Sequence, residues 1–409
     1  MQDIGTYESF IVFGCWNKYT DIDGDLPVKK VTDKIKGFLQ KEDNNPKFLV
    51  IAGDNYYPLK EYNQISTKKT GNKIINPNRL RYGFELLPKN ITTYMILGNH
   101  DLETALPNKH NIYTDDTSLE SPGIIDTADL NTASECAIIE HEMNISRSLH
   151  SETGNFFFEF NKSELICNTL VLMIDTSIYD DDARIMLPCY AKFMNQLSDI
   201  TIDSLLELQW QFIHTEIEKH SDHIDNIVFI GHHPITGYKY KNNKIKLIEP
   251  SNLFIDVLYS VFRLYSNVKY YYICADLHNY QIGTVTIEST IGGENMTINQ
   301  YIVGTGGTDL DTDPLLDVAS FPVVPFVSGS NRVHYSMTDE EKQICSGVEY
   351  GFLECICNND KLSFIFNQVD GKPLHDSASM GGTIVTIKKK EVRRKKELIR
   401  KELRRKNKN

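Results

Sequence analysis

Short β-rich apolar runs recur along the chain, and several close on a small residue followed by a polar cluster. They are FIVFGCWN (10–17), KFLVIAGDNYY (47–57), TTYMILGNHD (92–101), TLVLMIDTS (169–177), NIVFIGHHP (226–234), KYYYICADLH (269–278) and QYIVGTGGTD (300–309). Apolar runs bounded by turn residues predict buried strands. Helical spacing appears between some of them, in LPVKKVTDKIKGFLQ (26–40) and more strongly in SLLELQWQFIHTEIEKH (204–220). Strands alternating with helices predict an α/β architecture. In such sheets a site forms beyond the carboxyl ends of the strands, where all of these polar clusters lie. Two polar stretches, 59–79 and 103–150, interrupt the pattern. Their Asn, Lys and Thr richness reads as exposed loops of the lid or binding kind. After Gly351, FLECICNNDKLSFIFNQVDG predicts a terminal hairpin turning at NND, and SASMGGT a flexible joint. The chain thus divides into one domain over 1–375, a joint over 376–387 and a tail over 388–409. No internal repeat is visible.

Charge sharpens that division. The 409 residues carry 43 Lys+Arg and 55 Asp+Glu. Residues 388–409 alone hold 13 of the basic groups and 3 glutamates, leaving 30 basic and 52 acidic groups in the body. An acidic body with a basic tail is two regions with different tasks. Glu391–Lys395, Glu397–Lys401 and Glu402–Lys406 are i,i+4 pairs that favour a helical tail, at about 0.3 kcal/mol each. The plain reading is a solvated charged end. The sharper ones are a nucleic-acid contact or an anionic-surface contact. Only Val392, Leu398, Ile399 and Leu403 are apolar there, too few for deep insertion into lipid.

At 41% hydrophobic the chain can bury a large core, and no window of about 20 apolar residues predicts a membrane span. MQDIGTYESF has no signal-peptide features, which favours an intracellular protein. The eight cysteines have no repeated spacing, so most are expected reduced and buried in strands. The four Asn-X-Ser/Thr sequons, at Asn90, Asn144, Asn161 and Asn295, then read as chance matches.

Five strand-end clusters carry the candidate chemistry: Cys15-Trp16-Asn17, Asp54-Asn55-Tyr56-Tyr57, Asn99-His100-Asp101, His232-His233 and Asp276-Leu277-His278. A lone strand-end histidine is more often a hydrogen-bonded structural residue. Several such clusters in an α/β setting point to a two-metal site. Carboxylate, imidazole, amide and phenolate donors suit Fe, Mn and Zn, and two ions can clamp a phosphate and acidify a water.

In order, GDNYY (53–57), GNHD (98–101), GHHP (231–234) and ADLHNYQ (275–281) resemble the signature blocks of calcineurin-like metallophosphoesterases, most closely the small tartrate-resistant purple acid phosphatases. IDTS (174–177), LQW (208–210) and GTGGTD (304–309) agree, and the resemblance runs from about residue 8 to about 370. It implies a four-layer α/β/β/α sandwich of two mixed β-sheets flanked by helices. It also implies hydrolysis of a phosphorylated substrate by a metal-bound hydroxide at a dinuclear centre of Fe, Mn or Zn. Residue by residue, it makes Asp54 the bridge, Tyr57 and His278 ligands of the first ion, and Asn99 and His232 ligands of the second. It makes His100 the leaving-group acid with Asp101 as its partner. His233, standing where the subgroup usually has a tyrosine, and Asn55 are expected substrate contacts.

Two positions depart from the family pattern. Cys15 stands where the subgroup has an aspartate that binds the first ion. Asp276 stands where it has a histidine that binds the second. Carboxylate oxygen binds the same ions, so Asp276 is a tolerable exchange. Cys15 either ligates as a thiolate or leaves the first ion one ligand short. Asp21, Asp23 and Asp25 in DIDGDL do not rescue it as a calcium loop, because the loop's glycine and terminal glutamate are missing. GTGGTD lacks the Lys-Ser/Thr of a P-loop and reads as a tight turn near the site. The leading expectation is a metal-dependent phosphoesterase. The alternatives are a catalytically impaired binding scaffold of the same fold, and a nucleotide or nucleic-acid phosphodiesterase of the same superfamily.

Overall fold

In the computed structural model the described residues are 7–18, 26–41, 44–57, 59–62, 69–75, 77–102, 111–113, 131–132, 134–180, 183–195, 200–241, 244–311, 325–328, 331–345, 349–358 and 361–375. The DIDGDL triad at 21–25, the joint and the basic tail lie outside them.

Two large mixed sheets form the centre. The first, in spatial order, is β21 (Leu374–His375), β20 (Lys361–Gln368), β19 (Gly351–Asn358), β1 (Glu8–Phe13), β2 (Pro46–Ile51), β5 (Thr92–Met95) and β8 (Phe156–Phe158). The second is β17 (Phe326–Ser328), β18 (Asn331–Ser336), β15 (Tyr280–Ser289), β16 (Met296–Val303), β14 (Lys269–Cys274), β11 (Asn226–Ile230), β10 (Thr169–Ile174) and β9 (Asn161–Ile166). Smaller sheets pair β12 (Tyr238–Lys241) with β13 (Lys244–Leu247), and β3 (Leu59–Tyr62), β4 (Lys69–Ile75), β6 (Asn111–Tyr113) and β7 (Asn131–Thr132). In the first large sheet β1, β2, β5 and β8 run parallel; in the second β10, β11, β14 and β16 do. β1 also pairs antiparallel with β19, placing Glu8 opposite Cys357.

The continuous apolar runs have a direct cause, because successive side chains of a strand face opposite ways. In β1, Phe10 and Val12 join a core cluster with Leu172, Phe229 and Ile302 of the second sheet. Ile11 and Phe13 instead join a cluster with Val28, Val31 and Ile35 of α1 (Pro27–Leu39) and Phe84 of α2 (Pro77–Leu86). Both faces are dry, so neither tolerates polar alternation. The second sheet is covered by α4 (Ala183–Phe193), α5 (Ile202–His220) and α6 (Asn252–Leu264), through Cys189, Leu205, Ile213 and Leu258 among others. This is the four-layer sandwich.

The 26–40 and 204–220 helices form as α1 and α5. The latter opens on a capping box between Thr201 and Ser204, a motif that satisfies two otherwise orphaned backbone donors. The 351–370 hairpin forms as β19 and β20. The reading of 59–79 and 103–150 as loops needs correction. Strands β3 and β4 and the start of α2 occupy the first. The second ends in α3 (Ala137–Thr153), whose buried face is Ala137, Ile138, Ile139, Glu142, Ser146 and Leu149. Glu142 and Ser146 interrupt the apolar stripe, which hides the helix from a hydrophobic pattern. Short α7 (Asp339–Cys345) completes the helices.

Cys136, just before α3, and Cys189, inside α4, form a disulfide, contrary to the expectation for those two. The pairing comes from packing of α3 against α4 and leaves no spacing signal. Among the described residues the other six cysteines are free, and all but Cys167 are buried. No described helix is long and apolar enough to cross a membrane.

Candidate metal centre

The strand-end clusters converge because β1, β2, β5, β10, β11 and β14 deliver their carboxyl ends to one place, where the two sheets meet. Gly14 marks the junction: a Cβ there would lie 2.6 Å from the Ala275 Cβ and 2.9 Å from the Ala52 carbonyl oxygen. The loops are stitched through their backbones. Cys15 N–H donates to the Gly53 carbonyl at 3.2 Å and Trp16 N–H to that of Asp54 at 3.3 Å. GTGGTD is indeed a turn beside the site. Its Gly306 N–H donates to the Gly14 carbonyl at 3.0 Å and its Thr308 N–H to that of Cys15 at 3.1 Å.

Asp54 is the centre of the geometry and is buried. Its Oδ2 accepts from the Tyr57 hydroxyl at 2.8 Å and lies 4.0 Å from Cys15 Sγ. Its Oδ1 lies 3.2 Å from His232 Nε2 and accepts from the His100 backbone N–H at 3.0 Å. The two oxygens therefore face two different sets of donors. Around Oδ2 stand Cys15, Tyr57 and, 3.3 Å from the Tyr57 hydroxyl, His278 Nε2. Around Oδ1 stand His232 Nε2, Asn99 Oδ1 at 3.1 Å from it, and Asp276 Oδ1 at 4.0 Å. Ligand atoms of Cys15, Asp54 and His232 all lie within 4.8 Å of one another, as do those of His232, His233 and Asp276. His233 is thereby a candidate ligand that the sequence reading placed only in the substrate pocket.

Both principal histidines are aimed by their far nitrogens. His232 Nδ1 sits 2.8 Å from the Ala52 carbonyl, and His278 Nδ1 2.9 Å from the Asp309 carbonyl. A carbonyl only accepts, so each Nδ1 carries a proton and each Nε2 is turned into the site. Neutral His232 would then present a lone pair to two more acceptors, Asp54 Oδ1 and Asn99 Oδ1. Such a cluster calls for a cation. Without a metal ion the imidazole supplies it: burial lowers His232, but the Asp54 charge and hydrogen bond, with Asp276 and the Ala52 carbonyl, together push it up to about 9. Asp54 is held below the usual carboxylate range, because His232 and His100 overcome its burial. Burial, then the Asp54 charge, raises both the Cys15 thiol and the Tyr57 phenol. Carboxylate, imidazole, amide, phenol and thiol groups gathered around one buried carboxylate fit the ligand chemistry of a metal centre.

Asp101 and Asn55 make buried bonds beneath the site. Asp101 accepts from Asn55 N–H at 2.7 Å, Asn55 Nδ2 at 2.8 Å and Gly98 N–H at 2.8 Å, so its oxygens brace the loops under the site. Burial and the Asp54 charge push Asp101 up to about 7. Asn55 is fully buried. Its amide donates to Asp101 and, at 3.1 Å, to the Ile96 carbonyl, and it accepts from Trp16 Nε1 at 3.3 Å. Those bonds turn the Asn55 amide inward, where it ties three segments together. His100 packs its ring 4.7 Å from that of Tyr57. His233 is half-buried at the rim, with Nδ1 3.3 Å from Thr176 Oγ1 and Nε2 3.7 Å from Asp180 Oδ2. Thr176 Oγ1 also accepts the backbone N–H groups of His232 and His233, at 3.0 and 2.9 Å. In the sequence, the IDTS segment hints at that support.

The family model for calcineurin-like phosphoesterases matches residues 10–280. The chain belongs to the calcineurin-like phosphoesterase family. No curated protein sequence matches it. Solved structures that resemble this phosphoesterase-family chain include GAP50, the anchor in the inner membrane complex of Plasmodium. That likeness is 12% identical with a TM-score of 0.41, over 93% of this chain and 87% of that one. Another is purple acid phosphatase PPD1 from yellow lupin (Lupinus luteus) seeds, 14% identical with a TM-score of 0.44, over 94% of this chain and 58% of that one. TT1561 of Thermus thermophilus is 8% identical with a TM-score of 0.33, over 74% of this chain and 92% of that one.

Proposed function

We propose that this protein hydrolyses phosphate esters at a two-ion site bridged by Asp54. The observation that carries the proposal is the cluster of acceptor atoms on either side of that carboxylate, one ligand group facing each oxygen. Asp54, Tyr57, His278 and Cys15 would hold one ion, and Asp54, Asn99, His232 and Asp276 the other. Bound there, two ions of the Fe, Mn or Zn class would supply positive charge to the phosphate oxygens and lower the pKa of a water. The chain's own residues do the rest. Asp309 and Ala52 carbonyls fix the ring tautomers of His278 and His232. Thr176 pins the loop that carries His232 and His233. Asp101 and Asn55 lock the Asn99-His100 loop to the Asp54 loop. His100, on the same loop as Asn99 and against Tyr57, would give a proton to the leaving oxygen.

The test is hydrolysis of a simple aryl phosphate by the metal-loaded protein, with metal content measured on the same sample. Asp54→Asn should abolish turnover and lower the ions bound per chain, whereas His100→Asn should lower turnover by roughly 10²-fold or more with the ions retained. Undiminished hydrolysis by Asp54→Asn would exclude this site as the catalyst.

A further inference from the structure

The two sides of Asp54 are chemically unlike, and the difference rests on Cys15. On one side the donors are oxygen and a single imidazole, from Asn99, Asp276 and His232. On the other stand a sulfur, a phenol oxygen and an imidazole. Cys15 is fully buried, and its sulfur lies 4.0 Å from Asp54 Oδ2. A tetrahedral ion with a metal–sulfur distance near 2.3 Å and a metal–oxygen distance near 2.1 Å separates the two ligand atoms by about 3.6 Å, so a small adjustment would seat both on one ion.

The backbone at Cys15 points the same way by an independent route. Its φ is +51°, a left-handed conformation that strains a cysteine and that Asn and Asp tolerate better. Six described non-glycine residues share a positive φ. Four belong to this site's loops: Cys15, Asn17, Asp54 at +55° and Asp276 at +37°. Strain gathered at one site is a mark of function. Cys15 is held in the conformation of the two carboxylate ligands by the Gly53 carbonyl and the Thr308 N–H. A thiol serving only as core filling gains nothing from that conformation.

We propose that the site is built to hold two different classes of ion: a thiophilic one, such as Zn²⁺ or its substitutes Co²⁺ and Cd²⁺, with Cys15 as a sulfur ligand beside Tyr57, His278 and Asp54, and a harder one, such as Mn²⁺, on Asn99, Asp276, His232 and Asp54. Thiolate selects Zn-like ions while carboxylate and carbonyl oxygen suit Mn. The inference rests on the two-ion reading above and adds the identity of the ions and the role of the sulfur.

The test titrates the full chain, freed of metal by chelation, with Co²⁺ while recording the near-ultraviolet spectrum and the ions bound per chain. A sulfur-to-cobalt charge-transfer band should saturate at one equivalent and be displaced by Zn²⁺. The band should be absent in Cys15→Ser and Cys15→Asp, and Cys15→Asp should shift the Zn²⁺-over-Mn²⁺ preference of the stronger site by roughly tenfold or more. Asp276→Asn should keep the band and weaken Mn²⁺ binding. Bound Co²⁺ without the band, or a band unchanged in Cys15→Ser, overturns the sulfur ligand and leaves the two-ion reading standing. No Co²⁺ bound at all overturns both. Where a Cys15 variant does not fold, wild-type protein that binds Co²⁺ without the band still overturns the sulfur ligand.

Discussion

Replacing Asp175 with asparagine should make the protein more stable at neutral pH, although it removes a buried hydrogen-bonded acid. Asp175 is fully buried at the end of β10, and its Oδ1 accepts the Ser177 N–H at 2.8 Å while its Oδ2 accepts from the Tyr190 hydroxyl. Burial outweighs those bonds and pushes its pKa from 3.8 up to about 6. The folded value lies above the unfolded one. The contribution of this acid is therefore intact below about pH 4 and is lost as pH rises through 6. At about 1.36 kcal/mol per unit the loss reaches about 3 kcal/mol by pH 7. Asparagine does not titrate. Its carbonyl can keep the Ser177 bond, and the Tyr190 hydroxyl can turn to accept from its amide. Urea unfolding of wild type and Asp175→Asn, followed at pH 4, 5, 6 and 7, should give a stability difference that grows in favour of the variant by about 2.4 kcal/mol across that range. A difference that stays constant with pH would mean that Asp175 titrates normally and that the buried acid is not strained. The result bears on function too, because this turn carries Thr176, which holds both histidines of the GHHP segment.

Asp101→Ala would strip the acceptor from three buried donors, at about 1–3 kcal/mol each, and should lower stability by at least ~3 kcal/mol in the same unfolding assay. A loss under ~1 kcal/mol would refute the bracing role. Glu142, fully buried on α3, is raised by burial, then by the charge of Asp101 and a side-chain hydrogen bond with it. Glu142→Gln should therefore unfold at higher urea than wild type at pH 8, with the advantage vanishing at pH 4; an advantage at pH 4 instead would refute the assignment. Deleting 388–409 should abolish any salt-dependent binding to nucleic acid or anionic vesicles while leaving aryl phosphate hydrolysis within about twofold. Binding that survives the deletion would locate the anionic contact in the body.

The sheets were legible because their strands are dry on both faces. Runs such as TLVLMI and NIVFI admit few other readings, and each carried its polar cluster at the end where a parallel sheet must place it. The site was legible for the same reason, as Asp54, Asn99, His232, Asp276 and His278 all sit at strand ends. What escaped was settled by distant partners. α3 hid behind Glu142 and Ser146, polar residues on a buried face. The Cys136–Cys189 pair is joined only by helix packing. Asn55 looks in sequence like a free strand-end amide, and its inward bonds to Asp101, Ile96 and Trp16 depend on three separate segments. Asp309 lies 31 residues beyond His278, and nothing local signals that its carbonyl sets the ring's orientation.

The pairing of β1 with β19 has a consequence for synthesis. The strand that ends in Gly14 and Cys15 is made long before one of its two neighbours, since Glu8 lies opposite Cys357. At about 5–20 residues per second a ribosome needs tens of seconds to supply that neighbour. Until then one edge of β1 is unpaired, and for most of that time the Cys15 loop lacks the Gly306 and Thr308 contacts from its far side. A nascent chain would thus carry an open apolar strand edge until β19 has emerged, an edge on which another chain could pair in the meantime.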